Sequence, residues 1–540
     1  MAEVERSPLL VANSLEPPRN LQVSQIGLWC EIPIWGLLLY DNQTPWLTLL
    51  ETLHICFARV SHKKSVFPPE TSDGEHEWIN YEAPLALGLR HLLFEDQHID
   101  EIASSGTENG TMWSTWIAEL GVKPPVNIAH LRKTFPQFQD LANAVALLRS
   151  GQVDGNNGRR PTSRHLLPLG PSMLFADVKE VEHTSDRRFM RRNGELIFLM
   201  LNRSSLRTEV ANLIQSELIG ADSPWNRLAR KLMGGDAYED QPRSLNTGFL
   251  PLAEHGAYER LAQDWRAILS LKKMPVATSL APLARLSSFN LLLYIVERAV
   301  EVTEGPGGYV PPYVFDMVGN TSGNGLRKLS QNLLQQHRRL MPSATRAFVE
   351  AYRQSDEWQA IEGTDQASLT ACNRLQQRFL WKRDIGTDPD AMPSPSEQIE
   401  LLINEVQKSH SHSVSAMYVA HSRQIGAITA RAGVGTWYAP NDELIEALVL
   451  ANVAGPIELD AFLEKLFDRY RIVIGAQEAM RAFDGELPEV DATFRENERS
   501  FEDRLRMLGF LERKSDDCAF VFNPFHPDTS LTDGDHDVAA

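Results

Sequence analysis

The stretch Asn441-Asp442-Glu443-Leu444-Ile445-Glu446-Ala447-Leu448-Val449-Leu450-Ala451-Asn452-Val453-Ala454-Gly455-Pro456 decides how the end of this chain is read. Asn441 and Asp442 suit a helix cap, because a short polar side chain takes up the free N–H groups of a first turn. Leu444, Ile445, Leu448, Val449 and Val453 then recur at helical spacing. Gly455-Pro456 stops the helix: glycine tolerates the left-handed turn and proline cannot continue the ladder.

Downstream, Leu459, Phe462, Leu463, Leu466, Phe467 and Tyr470 mark a second helix, followed by the β-branched run Arg471-Ile472-Val473-Ile474 and Gly475. Residues 476–483 read as a short helix. A longer one from about Val490 to Leu508 carries Phe494, Phe501 and Leu505. Phe510-Leu511-Glu512-Arg513 and Ala519-Phe520-Val521-Phe522 flank the polar turn Lys514-Ser515-Asp516-Asp517, which is a hairpin pattern. Helices followed by a terminal hairpin are the winged-helix order. The expected class is therefore a mainly α, multi-domain protein with a few short strands and a C-terminal winged-helix domain.

The charge of this region is wrong for gripping DNA unaided. Residues 397–525 hold 22 Asp and Glu against 13 Lys and Arg, whereas DNA affinity comes largely from neutralising phosphates. The last helix interleaves Glu496, Glu498, Glu502 and Asp503 with Arg495, Arg499, Arg504 and Arg506. Protein contact is the expected use. DNA contact through that helix and the wing residues Arg513 and Lys514 is the alternative.

Working outward, punctuation divides the chain into a mainly helical segment 1–150 and a mixed α+β and helical segment 151–383. A Pro- and Asp-rich linker, 384–396, leads to a helical segment plus winged helix, 397–525, and an acidic tail, 526–540, expected to be disordered. Strands are expected at 173–178 and 195–201, a helix at Phe138–Arg149, and a helix buried on all sides at 286–300. The helical lead-in to the winged helix is read from Ser396 to about Ala432. Residues 34–60 are apolar but interrupted by Asp41, Asn42, Gln43, Pro45, Glu51 and His54, which reads as core rather than a membrane span. Pro45 suits the first turn of its helix.

The 540 residues are 43% hydrophobic with a net charge of −18, which supports sizeable cores and disfavours general adhesion to nucleic acid or membranes. Cys30, Cys56, Cys372 and Cys518 form no CxxC pair, so neither a zinc ribbon nor a disulfide framework is expected. With no basic start and apolar run at Met1-Ala2-Glu3-Val4-Glu5, the expected location is cytoplasmic.

Candidate chemistry is sparse. Gly319-Asn320-Thr321-Ser322-Gly323-Asn324-Gly325-Leu326-Arg327-Lys328 resembles a phosphate cradle, but Leu326-Arg327 separate the lysine from the glycine, where a P-loop needs them adjacent. A flexible loop before a helix explains it. Asp177 and Lys179, with Glu180 and Glu182 nearby, match the acid–lysine strand of magnesium-dependent nucleases. A solvated strand edge explains them too. His410, His412 and His421 lack metal-ligand spacing and read as solvated histidines near a helix end. No metal site or cofactor is expected.

A basic concentration stands out in this acidic chain. Residues 159–192 contain eight Lys and Arg (Arg159, Arg160, Arg164, Lys179, Arg187, Arg188, Arg191, Arg192) against four acids. They are candidates for phosphate contact, or for pairing with the protein's own acids.

Finally, Ala451-Asn452-Val453-Ala454-Gly455-Pro456-Ile457-Glu458-Leu459, Phe467-Asp468-Arg469-Tyr470-Arg471-Ile472-Val473-Ile474-Gly475 and Leu508-Gly509-Phe510-Leu511 resemble a component of bacterial anti-phage defence operons of the methylation-associated type. Ser515-Asp516-Asp517-Cys518-Ala519-Phe520-Val521, Asn523-Pro524-Phe525 and the early phrase Glu31-Ile32-Pro33-Ile34-Trp35-Gly36-Leu37-Leu38-Leu39-Tyr40 fit the same resemblance. It implies an accessory role beside methyltransferase, kinase and ATPase subunits, and it transfers no active site. The readings carried forward are a non-catalytic accessory subunit of a defence complex, a magnesium-dependent nuclease, and a winged-helix DNA-binding regulator.

Overall fold

The helix Val276–Glu304 is the axis of the molecule. In the computed structural model every residue from 286 to 296 along it is buried. It packs against the helices Pro45–Ser61, Gly256–Leu269, Gly325–Arg353 and Asp442–Asn452. The described residues are 11, 14–15, 26–36, 43–68, 79–122, 124, 126–153, 164–175, 178–181, 184–187, 192–220, 222–234, 243–246, 248–319, 325–362, 366–379, 381, 392–410, 414–483, 490–515 and 518–526. Among them this is the one helix long and apolar enough to cross a membrane, and 89% of its apolar window is buried inside the protein. Burial on all sides also explains why its sequence shows no amphipathic period.

The described part of the early apolar segment, 34–36 and 43–60, is core, as its interruptions suggested. Thr44 Oγ1 accepts from the Leu47 amide at 3.2 Å and Pro45 sits in the first turn of Pro45–Ser61. A proline costs nothing there, because that N–H has no partner within the helix. The preceding helix, Ile26–Trp35, is tied to the axis by three polar links, one of them from Arg298 Nε to the Ile34 carbonyl at 3.1 Å. Trp35 Nε1–H donates to the Ile295 carbonyl at 3.0 Å, and the Tyr294 hydroxyl donates to the Trp35 carbonyl at 3.1 Å.

The protein is mainly helical, with short two- and three-stranded sheets. One buried apolar cluster draws side chains from Cys30 through to Val521. A second gathers Trp113, Trp116 and Phe138, whose rings meet edge to face, with Leu92, Leu141 and Leu232. The four cysteines are free thiols, and burial pushes those of Cys30 and Cys56 well above the usual thiol range.

Three sequence expectations are corrected. Residues 195–201 are not a strand but lie within the helix Asn193–Arg203. Its residues 193–201 are all buried, so Glu-Leu-Ile-Phe-Leu-Met-Leu carries no polar face from which a period could be read. At 173, a short 3-10 turn, Pro171–Met173, replaces the expected strand start, and the strand runs Val178–Val181. The helical lead-in ends early: after Pro395–His410 and Val414–Gln424 the chain forms a hairpin, Ile428–Arg431 with Gly435–Tyr438.

Gly426 makes that turn possible. Its φ is +80°, and a Cβ built on it would lie 2.1 Å from Asn441 Oδ1. Asn441 cannot simply yield, because its Oδ1 caps the next helix by accepting from the Leu444 amide at 3.0 Å. Gly426→Ala should therefore combine left-handed strain with a lost cap, lowering stability by about 2–3 kcal/mol. Urea denaturation followed by circular dichroism checks this. A change below about 0.5 kcal/mol, the scale of a surface substitution, would remove the argument.

The C-terminal elements follow in the expected order: Asp442–Asn452, Leu459–Tyr470, Ala476–Ala482, Val490–Met507, then strands Leu511–Ser515 and Cys518–Val521. One further strand, Ile457–Glu458, joins the hairpin, giving the antiparallel order 457–458, 518–521, 511–515.

Candidate functional site

The C-terminal unit is fastened to the helical body by buried polar groups. Ile472–Val473 runs parallel to Tyr313–Val314 of the body. Beside it Asn497, fully buried on the inner face of the last helix, donates to the carbonyls of Phe315 (2.8 Å) and Ile474 (2.9 Å) and accepts from the Met317 amide (2.7 Å). A single amide thus ties two extended segments to the last helix, meeting groups that would otherwise be buried without partners.

A second fastening centres on Asp264, also fully buried. Its Oδ1 accepts from Arg469 Nη2 and from the Tyr470 hydroxyl, each at 2.7 Å, and its Oδ2 accepts from Asn290 Nδ2 at 2.7 Å. Arg260 adds a two-pronged pair to Glu297 at 2.9 and 3.1 Å and reaches the Arg469 carbonyl at 3.3 Å. Burial and then the Asp264 charge push the Tyr470 phenol far above its ordinary range. Asp264 and Asn290 sit on the helices Gly256–Leu269 and Val276–Glu304, so this network spans body and C-terminal unit. None of these residues was a sequence candidate. The available signal was a lone polar residue on an apolar helical face, as in Leu261-Ala262-Gln263-Asp264-Trp265.

On the outer side of the unit, basic residues are bonded to local acids. Arg504 Nε meets Asp442 at 2.5 Å and Arg506 Nη2 meets Asp503 at 2.7 Å. Arg513 holds Glu502 through two contacts at 2.7 and 3.3 Å, and Lys514 Nζ lies 5.4 Å from the centre of the Phe520 ring. Glu478 and Glu498 converge on Gly475, where a Cβ would meet both carboxylates within 3 Å. Burial first, and then neighbouring acids including Asp460, raise both of their pKa values. Arg504, Arg506 and Arg513 are thus each compensated by an acid of the same unit.

The basic stretch is only partly described. Asp177, Arg188, Arg191, Arg159 and Arg160 lie outside the described residues. Lys179 is on the strand Val178–Val181, opposite Asp186 in the hairpin with Thr184–Arg187, and Arg187 stands opposite Val178. Arg192 has a left-handed backbone, φ +74°, and its amide donates to Glu51 Oε1 at 3.1 Å. Its Nε lies 3.7 Å from the buried Glu195. Glu51 Oε2 accepts from the Gly194 amide at 2.9 Å, so a buried carboxylate sits at the N-terminus of Asn193–Arg203, where the helix dipole favours negative charge. Arg192 therefore pairs with an acid of its own chain.

His421 corrects another expectation. It is fully buried rather than solvated, its Nε2 lies 3.3 Å from Asn193 Nδ2, and burial lowers its pKa to about 4. His412 lies outside the described residues and His410 ends the helix Pro395–His410. Among the described residues no cluster of three His, Cys, Asp or Glu side chains suits a metal ion. In the glycine-rich loop, 320–324 lie outside the described residues. Arg327 turns inward to Asp316 at 3.1 Å and stacks over Trp437, so it does not face a cradle.

Residues 423–521 match the family described as methylation-associated defense system protein MAD7. The match is confined to this C-terminal segment of the 540-residue chain. The match covers the hairpin at 428–438, the capped helix, the three-stranded sheet and both fastenings on the C-terminal side. No curated protein and no solved structure matches the chain. The resemblance carried by Ala451–Leu459 and by the hairpin phrases is thus borne out over 423–521.

Proposed function

We propose that this protein, whose residues 423–521 match the MAD7 family, is an intracellular, non-catalytic accessory subunit of a multi-protein anti-phage defence complex. In this reading its C-terminal segment is a winged-helix unit used for protein contact. The order of helices, the three-stranded sheet 457–458, 518–521, 511–515 and the terminal hairpin support the winged-helix assignment. The observation that carries the protein-contact reading is the pairing of Arg504, Arg506 and Arg513 with Asp442, Asp503 and Glu502. A helix that reads DNA needs its arginines for phosphates and base edges. Here such contact would first require breaking local pairs and approaching Glu478 and Glu498.

Two measurements test this. Purification of the tagged protein from its native operon should recover stable partner subunits. A monodisperse monomer under those conditions would count against a complex. Titration with duplex DNA at about 50 mM salt should show binding no tighter than the non-specific range, about 10⁻⁴–10⁻⁶ M at physiological salt. The double variant Arg513→Ala, Lys514→Ala should leave any salt slope within about one unit of wild type. Nanomolar binding abolished by that variant would instead make the hairpin a DNA reader.

A further inference from the structure

A cavity of about 1230 Å³ opens beside the Asp264 fastening, away from the hairpin. Its walls come from the ends of Gly256–Leu269 and Val276–Glu304, the turn Gly305-Pro306-Gly307-Gly308, Phe348, and the Arg469 to Arg471 corner. Pockets for drug-sized molecules run to about 300–1,000 Å³, so this one has room for a ligand of nucleotide size.

Two cations facing it are not fully used by the protein. Arg298 is 3% exposed; its Nε donates to the Ile34 carbonyl at 3.1 Å and its Nη1 is paired with Glu301. Its Nη2 is buried with no hydrogen-bond partner, an unfavourable state for a charged donor unless something else meets it. Arg471 is held in a left-handed conformation, φ +58°, with its guanidinium 4.6 Å from the centre of the Phe467 ring and 5.9 Å from that of Tyr309. Stacking on aromatic faces leaves the edge of the guanidinium fork open for an oxyanion.

The other charges lining the cavity are committed. Glu297 is held by Arg260, Arg469 by Asp264, Glu301 by Arg298 and His255, and Asp468 by Arg481; Glu254 remains at the rim. Tyr309, half exposed, presents a ring at the opening. Glycine at 305 and 307, both at positive φ, lets backbone come close without a Cβ in the way.

We propose that this cavity binds a small organic phosphate of nucleotide size. Its phosphate oxygens meet the Arg471 guanidinium, the buried Arg298 charge adds attraction from beneath the cavity wall, and its planar ring lies against Tyr309. Phosphate fits better than a single carboxylate because its greater charge answers both guanidinium charges and its several oxygens can take up the Arg471 fork. The proposal does not rest on the accessory-subunit reading, since it concerns neither the hairpin nor the outer face of the last helix.

Calorimetric titration of the full chain with ATP, AMP, inorganic phosphate and citrate tests it. ATP and AMP should bind with dissociation constants in the range of about 1 μM to 1 mM, and citrate should not compete. Arg471→Gln should weaken ATP at least about tenfold, the scale of one charge-assisted hydrogen bond, while Arg499→Gln on the last helix leaves it unchanged. Because Arg471 also ends a helix, Tyr309→Ala serves as a second variant; it should weaken ATP while leaving inorganic phosphate unaffected. Absence of ATP and AMP binding up to about 5 mM in the wild type overturns the proposal. So does undiminished ATP binding by folded Arg471→Gln, or citrate binding as tightly as ATP.

Discussion

Asp264→Ala should destabilise the protein by about 3–5 kcal/mol, the cost of leaving a buried ionic partner uncompensated. Asp264 is fully buried and accepts three hydrogen bonds at 2.7 Å, from Arg469, Tyr470 and Asn290. Its removal strands the Arg469 guanidinium, whose side chain is only 15% exposed, and leaves the Tyr470 phenol and the Asn290 amide one acceptor short. Asp264→Asn should cost less, because an amide oxygen can still accept from Arg469 while the charge is lost. The loss should also be local in kind. These bonds join two body helices to the end of Leu459–Tyr470, so the C-terminal unit should become the first site of proteolysis. Urea unfolding followed by tryptophan fluorescence gives the magnitude, and limited trypsin digestion gives the place. Wild-type stability in Asp264→Ala, or cleavage starting in the Trp113 cluster, would show that the network does not fasten the unit.

How much of this was legible beforehand depended on whether a residue's role was local. The cap at Asn441, the stop at Gly455-Pro456 and the hairpin around 514–517 are set by neighbours in sequence, and each lies where local rules put it. Pro45 and the helix Phe138–Arg149 were legible for the same reason. Residues 195–201 misled because a helix buried on every side loses its polar stripe, so helix and strand look alike. The strand Ile457–Glu458 was missed, being two residues long and defined only by its partner Val521, far along the chain. The fastenings were invisible for a similar reason. Nothing beside Asn497 in the sequence shows that its amide will meet Phe315 and Ile474. The role of Arg192 was likewise hidden, because Glu51 and Glu195 converge on it only in the folded chain.

Acid should unfold this protein sooner than its many surface carboxylates alone would suggest. His165, His337 and His421 are buried, and burial lowers their pKa values to about 3, 4 and 4. Arg90 adds to the effect at His165. The His337 geometry fixes a neutral tautomer. The Pro311 carbonyl, at 3.0 Å, can only accept, so Nε2 carries the hydrogen and Nδ1 accepts from the Tyr438 hydroxyl at 2.7 Å. Tyr418 must then donate to Tyr438 across 2.6 Å. A second proton on His337 would force Tyr438 to accept from Nδ1 and reverse that chain.

The sign follows from linkage. In the unfolded chain these histidines titrate near 6.5, so below that pH the unfolded state binds more protons and stability falls with pH. Their contribution is complete above about pH 6.5 and is lost towards the folded values near 4 and 3. At pH 5 each should have lost about 2 kcal/mol, together about 6, which is comparable to the whole stability of a typical domain. Glu446, Glu478 and Glu498 act in the opposite direction: their raised pKa values favour the folded state as pH falls, which reduces the loss. The melting temperature should therefore drop steeply between pH 6.5 and 5, before ordinary carboxylates titrate. His165→Phe isolates one contribution, since His165 stacks on Phe175 at 5.3 Å and its Nε2 has no hydrogen bond to lose. That variant should flatten the dependence by about 1.4 kcal/mol per pH unit in this window. A flat melting temperature from pH 7 to 5, or an unchanged slope in His165→Phe, would mean that these rings are protonated or solvated in the folded protein.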